Sequence, residues 1–114
     1  MPPLKPLVFH VLVALTEGER HGWDLVREIR QRTGGERVLP ANFYRTLRGM
    51  LADGLIEEST RRRPAGDDER RRYFRLTEIG HAAAAAEARR LQDLVSDART
   101  RRLLRAPGPS ARKA

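Results

Sequence analysis

The sequence contains no cysteine. That absence rules out disulfides, thiolate zinc sites and cysteine nucleophiles. It also lacks any apolar run near the ~20 residues a membrane-spanning helix requires. The opening stretch, MPPLKPLVFHVLVAL, has one lysine and no small-residue cleavage end, and it runs straight into patterned sequence. It is expected to be a structural helix of a cytoplasmic protein, not a leader. His10 and His81 are too isolated to form a metal site, and no His-Glu-x-x-His run occurs, so neither metal nor cofactor is expected. There is no phosphate-cradling glycine loop and no nucleophile–base pair, and the acidic residues are expected at helix ends or on exposed faces. Catalysis is therefore not expected.

Lysine is scarce too, and this matters because the chain is basic. Its 23 Lys+Arg outweigh 15 Asp+Glu for a net charge of +8, and all but Lys5 and Lys113 are arginine. Arginine presents a planar fork of donors that matches phosphate and the guanine edge, a bias that suits nucleic acid. With 114 residues the chain fits one small domain with a thin core. Such a chain is expected to finish burying its apolar surface in a homodimer.

Hydrophobic periodicity divides the chain into elements. Residues 4–16 are apolar almost all round, through Leu7, Val8, Phe9, Val11, Leu12, Val13 and Leu15, so that helix must be covered on every side. A second helix is expected from 21 or 22 to about 32, with Leu25, Val26 and Ile29 in one stripe and Trp23 packed beside them; Thr33-Gly34-Gly35 breaks it. Pro40 opens a third, to about residue 53. Its Phe43, Leu47, Met50 and Leu51 make one buried face, and Gly54 stops it. Residues 55–60 and 71–76 read as two strands of a hairpin whose charged tip holds Pro64 and Gly66. Thr77 caps a last helix running to about 104, on which Leu91, Leu94, Val95 and Ala98 extend an apolar stripe. Residues 106–114 read as a disordered basic tail, either solubilising or touching phosphate.

Helix, helix, turn, helix, hairpin, helix is the winged form of a helix-turn-helix. The expected fold is thus mainly α (α+β): a winged domain over 1–76 and a long C-terminal dimerisation helix over 77–105. In this arrangement the third helix reads bases and the hairpin follows the backbone. On the exposed side of the third helix, Asn42 suits adenine or caps the helix. Arg45 and Arg48 reach guanine edges or phosphates, unless they merely solvate the face. Tyr44, at its edge, either hydrogen-bonds a phosphate or packs half-buried. On the wing, Arg62, Arg63, Arg71 and Arg72 are expected to contact phosphate, about half of the wing arginines facing DNA because strand side chains alternate. Leu7, Val11, Leu91, Leu94, Val95 and Ala98 are the candidates for the subunit seam. His21, before a glycine at a helix start, is read as structural. The acidic wing tip, Asp67, Asp68 and Glu69, leaves room for a second reading, a winged module that binds protein and not DNA.

These residues resemble the PadR-like regulators. The likeness runs through His21-Gly22-Trp23, where the family usually has His-Gly-Tyr, through 42–47 and 53–57, and through Arg72-Tyr73-Phe74-Arg75-Leu76-Thr77 to Gly80. It covers roughly residues 4–104, and the short length matches the subfamily with a single C-terminal helix. The resemblance implies a homodimer whose last helices cross and pack against the partner's first helix. It also implies repression by binding an operator, sometimes relieved by a small-molecule effector. Two-fold symmetry would make that operator palindromic. Some short members bind flat aromatic drugs between tryptophans on the last helix. Here that helix has no aromatic residue, so any effector is expected between subunits beside the small residues 83–88, with weak binding of planar drugs.

Overall fold

In the computed structural model the described residues are 3–33, 40–59 and 72–105, with the side chains of residues 40 and 41 left aside. The chain forms α1 (Pro6–Leu15), β1 (Arg20–His21), α2 (Gly22–Arg32), α3 (Pro40–Ala52), β2 (Ile56–Glu58), β3 (Tyr73–Leu76) and α4 (Glu78–Thr100). No helix among the described residues is long and apolar enough to cross a membrane.

Several helix boundaries have a visible chemical cause. Pro6 supplies a ready-made helical φ at the start of α1 and gives up an N–H that would lack a partner there. At the start of α2 the His21 ring accepts a hydrogen bond from the Asp24 N–H at 3.3 Å. The end of α3 is a Schellman turn. Gly54 stands at φ 76°, its N–H bonds Leu51 O at 3.1 Å, and the Leu55 N–H reaches Met50 O at 3.0 Å. Thr77 caps α4 by accepting from the Gly80 N–H at 3.0 Å, and its own hydroxyl donates to Gly54 O at 2.5 Å. That pair of bonds clamps the start of α4 onto the end of α3. Gly80 allows the clamp to close, since any Cβ there would overlap the Leu55 carbonyl oxygen.

Three elements are shorter than expected, both strands of the hairpin among them. The last helix ends at Thr100, four residues early, because the chain turns at Arg102, φ 64°. There Arg102 N–H bonds Arg99 O at 2.9 Å and Leu103 N–H bonds Ala98 O at 2.8 Å, the same Schellman pattern without glycine. The unexpected element is β1. It joins an antiparallel sheet of order β1-β3-β2, with Arg20 opposite Phe74 and His21 opposite Tyr73. On the other side of β3, Ile56 pairs with Leu76 and Glu57 with Arg75, and the Arg75 guanidinium bonds the Glu57 carboxylate at 2.8 Å.

The core is made by one stripe from each helix and from β2 and β3: Val11, Leu12 and Leu15 of α1, Leu25 and Ile29 of α2, Phe43, Leu47 and Met50 of α3, Ile56 and Phe74 of the sheet, and Ala83 and Ala84 of α4. Val11 was expected at the subunit seam. It is fully buried inside the single chain, so it has no surface for a partner and belongs to the core. Only the first turns of α4 are buried. From Leu91 onward the helix carries no buried residue, with Leu94 56% exposed.

Glu87 corrects the expectation that acidic residues occupy helix ends or exposed faces. It is 5% exposed in the middle of α4. Its carboxylate accepts the Leu4 N–H at 3.2 Å and two bonds from Arg90 at 2.9 and 2.6 Å. Hydrogen bonding from the Arg90 guanidinium outweighs burial and, with the Leu4 N–H, holds the Glu87 carboxyl below the usual carboxylate range. A carboxyl depressed in the fold stabilises it fully above its unfolded value of about 4.3. That contribution disappears as pH falls through the lower folded value. Glu87→Gln should therefore lower the melting temperature near neutral pH and match wild type at the acid end of the window; a constant difference across that range would contradict the assignment.

Candidate nucleic-acid interface

Burial of Phe43, Leu47 and Met50 fixes the roll of α3, and this turns the side chains of Asn42, Arg45 and Arg48 to solvent. Arg45 donates to the Asn42 side-chain oxygen at 3.4 Å, one turn back along the helix. A carbonyl and a guanidinium thus stand side by side near the start of the helix. This is the chemistry that adenine and guanine edges require in a major groove.

Tyr44 shows the half-buried packing that one of its two sequence readings expects. Its ring meets Phe43 edge-on at 5.5 Å, and its hydroxyl lies where a Cβ on Gly22 would come within 3.2 Å. It packs against the core and wedges α3 against the start of α2. The Gly22 N–H in turn bonds the Arg72 carbonyl at 3.2 Å, so α2, α3 and the base of the wing meet at this glycine. His21 is structural, as its sequence context indicated. Besides capping α2, its Nε2 lies 3.1 Å from the Asp24 carboxylate, and its ring meets Tyr73 edge-on at 5.5 Å.

Arg72 is exposed, with its guanidinium 3.3 Å from the Glu58 carboxylate across the sheet. That pairing offsets part of its charge. Arg62, Arg63 and Arg71 lie outside the described residues. Among the described residues no cluster of His, Asp or Glu could hold a metal ion.

The candidate seam residues other than Val11 retain accessible surface. Leu7, Leu91 and Ala98 are half-buried, while Leu94 and Val95 are exposed. Beside them an apolar groove of about 210 Å³ lies between α1 and α4, lined by Phe9, Val13, Ala84, Ala85 and Ala88. The alanines set its floor by keeping α4 slim at that point.

The sequence model of the transcriptional regulator PadR-like family matches residues 11–86. The chain belongs to that family. It is 34% identical over 88 residues to the transcriptional regulator Rv3488 of Mycobacterium tuberculosis, covering 77% of this chain and 78% of the relative. A PadR family transcription regulator from Clostridium difficile superposes with a TM-score of 0.72 at 18% identity, over 84% of this chain and 97% of that one. A Streptococcus transcriptional regulator gives 0.69 at 25% identity, over 84% and 91%. This PadR-like chain is thus a transcriptional regulator built on a DNA-binding winged helix. The winged-helix fold, with its long C-terminal helix, agrees with the sequence reading.

One feature of this PadR-like surface escaped sequence reasoning. Trp23, expected to pack beside the stripe of α2, is 47% exposed. Helical phase gave the signal. On α2 the buried residues are Gly22, Leu25, Val26 and Ile29, and position 23 lies about 100° from the first of them.

Proposed function

We propose that this regulator binds a palindromic operator as a homodimer in the cytoplasm and represses transcription from it. The exposed face of α3 carries this reading: Asn42, Arg45 and Arg48 stand free of the core on a helix whose opposite side is locked into it. Residues 1–76 supply the DNA contacts, with Arg62, Arg63, Arg71 and Arg72 of the wing on the backbone. The exposed half of the C-terminal helix supplies the dimer, through Leu91, Leu94, Val95 and Ala98, with Leu7 of α1 beside them. Half-sites would stand about one helical turn of DNA, or a multiple, apart. A small-molecule effector would enter between subunits, against α1 and α4, where the groove beside Ala84, Ala85 and Ala88 leaves space.

Arg45→Ala tests the base-reading role. It should cost roughly 1–3 kcal/mol on the preferred duplex and relax the preference at one position in each half-site. Sequencing duplexes enriched from a random pool by wild type and by the variant reads both effects. An unchanged preference at every position would move base reading off Arg45.

A further inference from the structure

Of the tryptophan, tyrosine and phenylalanine side chains among the described residues, only Trp23 is exposed. The other exposed large apolar residues, Ile79, Leu94, Val95, Leu103 and Leu104, all belong to α4 or its end. Trp23 stands apart from them on α2. Leaving an indole in water forfeits the burial of a large apolar area, and its N–H is a donor with no acceptor role. An aromatic body with a polar edge is typical of interface positions.

Its position indicates the partner. The preceding residue, Gly22, touches Tyr44 of α3 and bonds the backbone of Arg72 at the base of the wing. Trp23 is therefore the next residue along α2 from the point where the base-facing helix and the wing come together. Along α2, Trp23 is followed at i+4 by Arg27 and at i+7 by Arg30, which places the three on one outward stripe. Arg27 is 71% exposed on its side chain and makes a long 3.5 Å contact with Asp24. An indole continued by guanidinium groups is complementary to a polyanion that offers flat sugar surfaces between phosphates.

We propose that Trp23 lies on the sugar–phosphate backbone beside the bases faced by α3, donating its indole N–H to a phosphate oxygen, with Arg27 extending the contact one turn along α2. This rests on the DNA-binding reading above and assigns to it an anchoring residue that is neither on the recognition helix nor on the wing. A backbone contact needs no particular sequence, so a random-sequence duplex is a sufficient probe.

Trp23 is the only tryptophan of the chain, so intrinsic tryptophan emission reports it alone. The test combines two readouts on the full-length protein with a fluorescein-labelled random-sequence duplex at about 50 mM salt. Anisotropy of the label measures binding itself, and acrylamide quenching measures access to Trp23. In the free protein Trp23 should be readily quenched, and saturating duplex should protect it several-fold. Trp23→Phe, which keeps an aromatic ring but removes the N–H with the rest of the pyrrole ring, should bind about tenfold more weakly with an unchanged melting temperature. Three results would overturn the inference and leave DNA binding intact: duplex saturation without protection, Trp23→Phe binding as wild type, or Trp23 already shielded before DNA is added. Flat anisotropy would instead overturn the DNA-binding reading, and this inference with it.

Discussion

Gly80→Ala is expected to destabilise the protein by at least about 3 kcal/mol, although alanine is the better helix former by about 1 kcal/mol. The reason is local and rigid. Gly80 lies in the first turn of α4, where that helix meets the chain leaving α3. The Thr77 N–H bonds Leu55 O at 3.2 Å, and the Thr77 hydroxyl, itself accepting from the Gly80 N–H, donates to Gly54 O. An added Cβ would overlap the Leu55 carbonyl oxygen and come within 3.0 Å of the Leu76 side chain. A flexible side chain could swing away, but a carbonyl held in a Schellman turn cannot without breaking the bonds that join α3, β2 and α4. Thermal unfolding followed by circular dichroism, at a fixed protein concentration, should show a fall of more than about 10 °C. An unchanged or raised melting temperature would mean that the two backbones are not in the contact described.

The second large effect is expected at the other end of α4. Leu94 is more than half exposed in the single chain and takes no part in its core. Leu94→Asp should therefore leave the winged domain folded and act only on assembly. In a two-fold seam both copies of the substitution enter together, placing two like charges among Leu91, Val95 and Ala98. Burying charges without partners costs on the order of 3–5 kcal/mol, enough to turn a micromolar dimer into monomer. Sedimentation of wild type and variant at the same concentration reads this directly. A variant as dimeric as wild type would place the seam elsewhere, and a monomeric wild type would remove the dimer from the account.

How far the sequence alone could be read depends on which interactions fixed each part. Helices α2 and α3 were legible because their limits are written in neighbouring residues: a histidine before Gly22, a proline at residue 40, a glycine at 54. The apolar spacing of Phe43, Leu47 and Met50 also set which side of α3 faces outward, so the exposure of Asn42, Arg45 and Arg48 followed from helical phase. Elements made by distant partners were not legible. Arg20 and His21 show no alternation of their own and become β1 only by pairing with β3. Glu87 reads as a surface residue of an alanine-rich helix until the Leu4 N–H and the Arg90 guanidinium close around it. Val11 reads as seam because α1 is apolar all round, and periodicity cannot tell which apolar side meets the core of its own chain. Tyr44 sits at the edge of the α3 stripe, where one helical position separates packing from solvent, and its contact with Gly22 is not visible in the sequence. Trp23 was the opposite case, an apolar residue assigned to packing that lies off the buried stripe of its helix.

The most direct test of a sequence-reading winged helix is the salt dependence of binding by the wild-type protein, compared between a duplex enriched from a random pool and a scrambled duplex of the same composition. Each phosphate neutralised by an arginine contributes about −0.9 to the slope of log K against log salt. The account predicts steep, linear loss of affinity with salt on both duplexes, with the enriched duplex held more tightly at every salt concentration. Absence of salt-dependent binding to either duplex by a folded protein would contradict it and point to a winged module that binds protein instead.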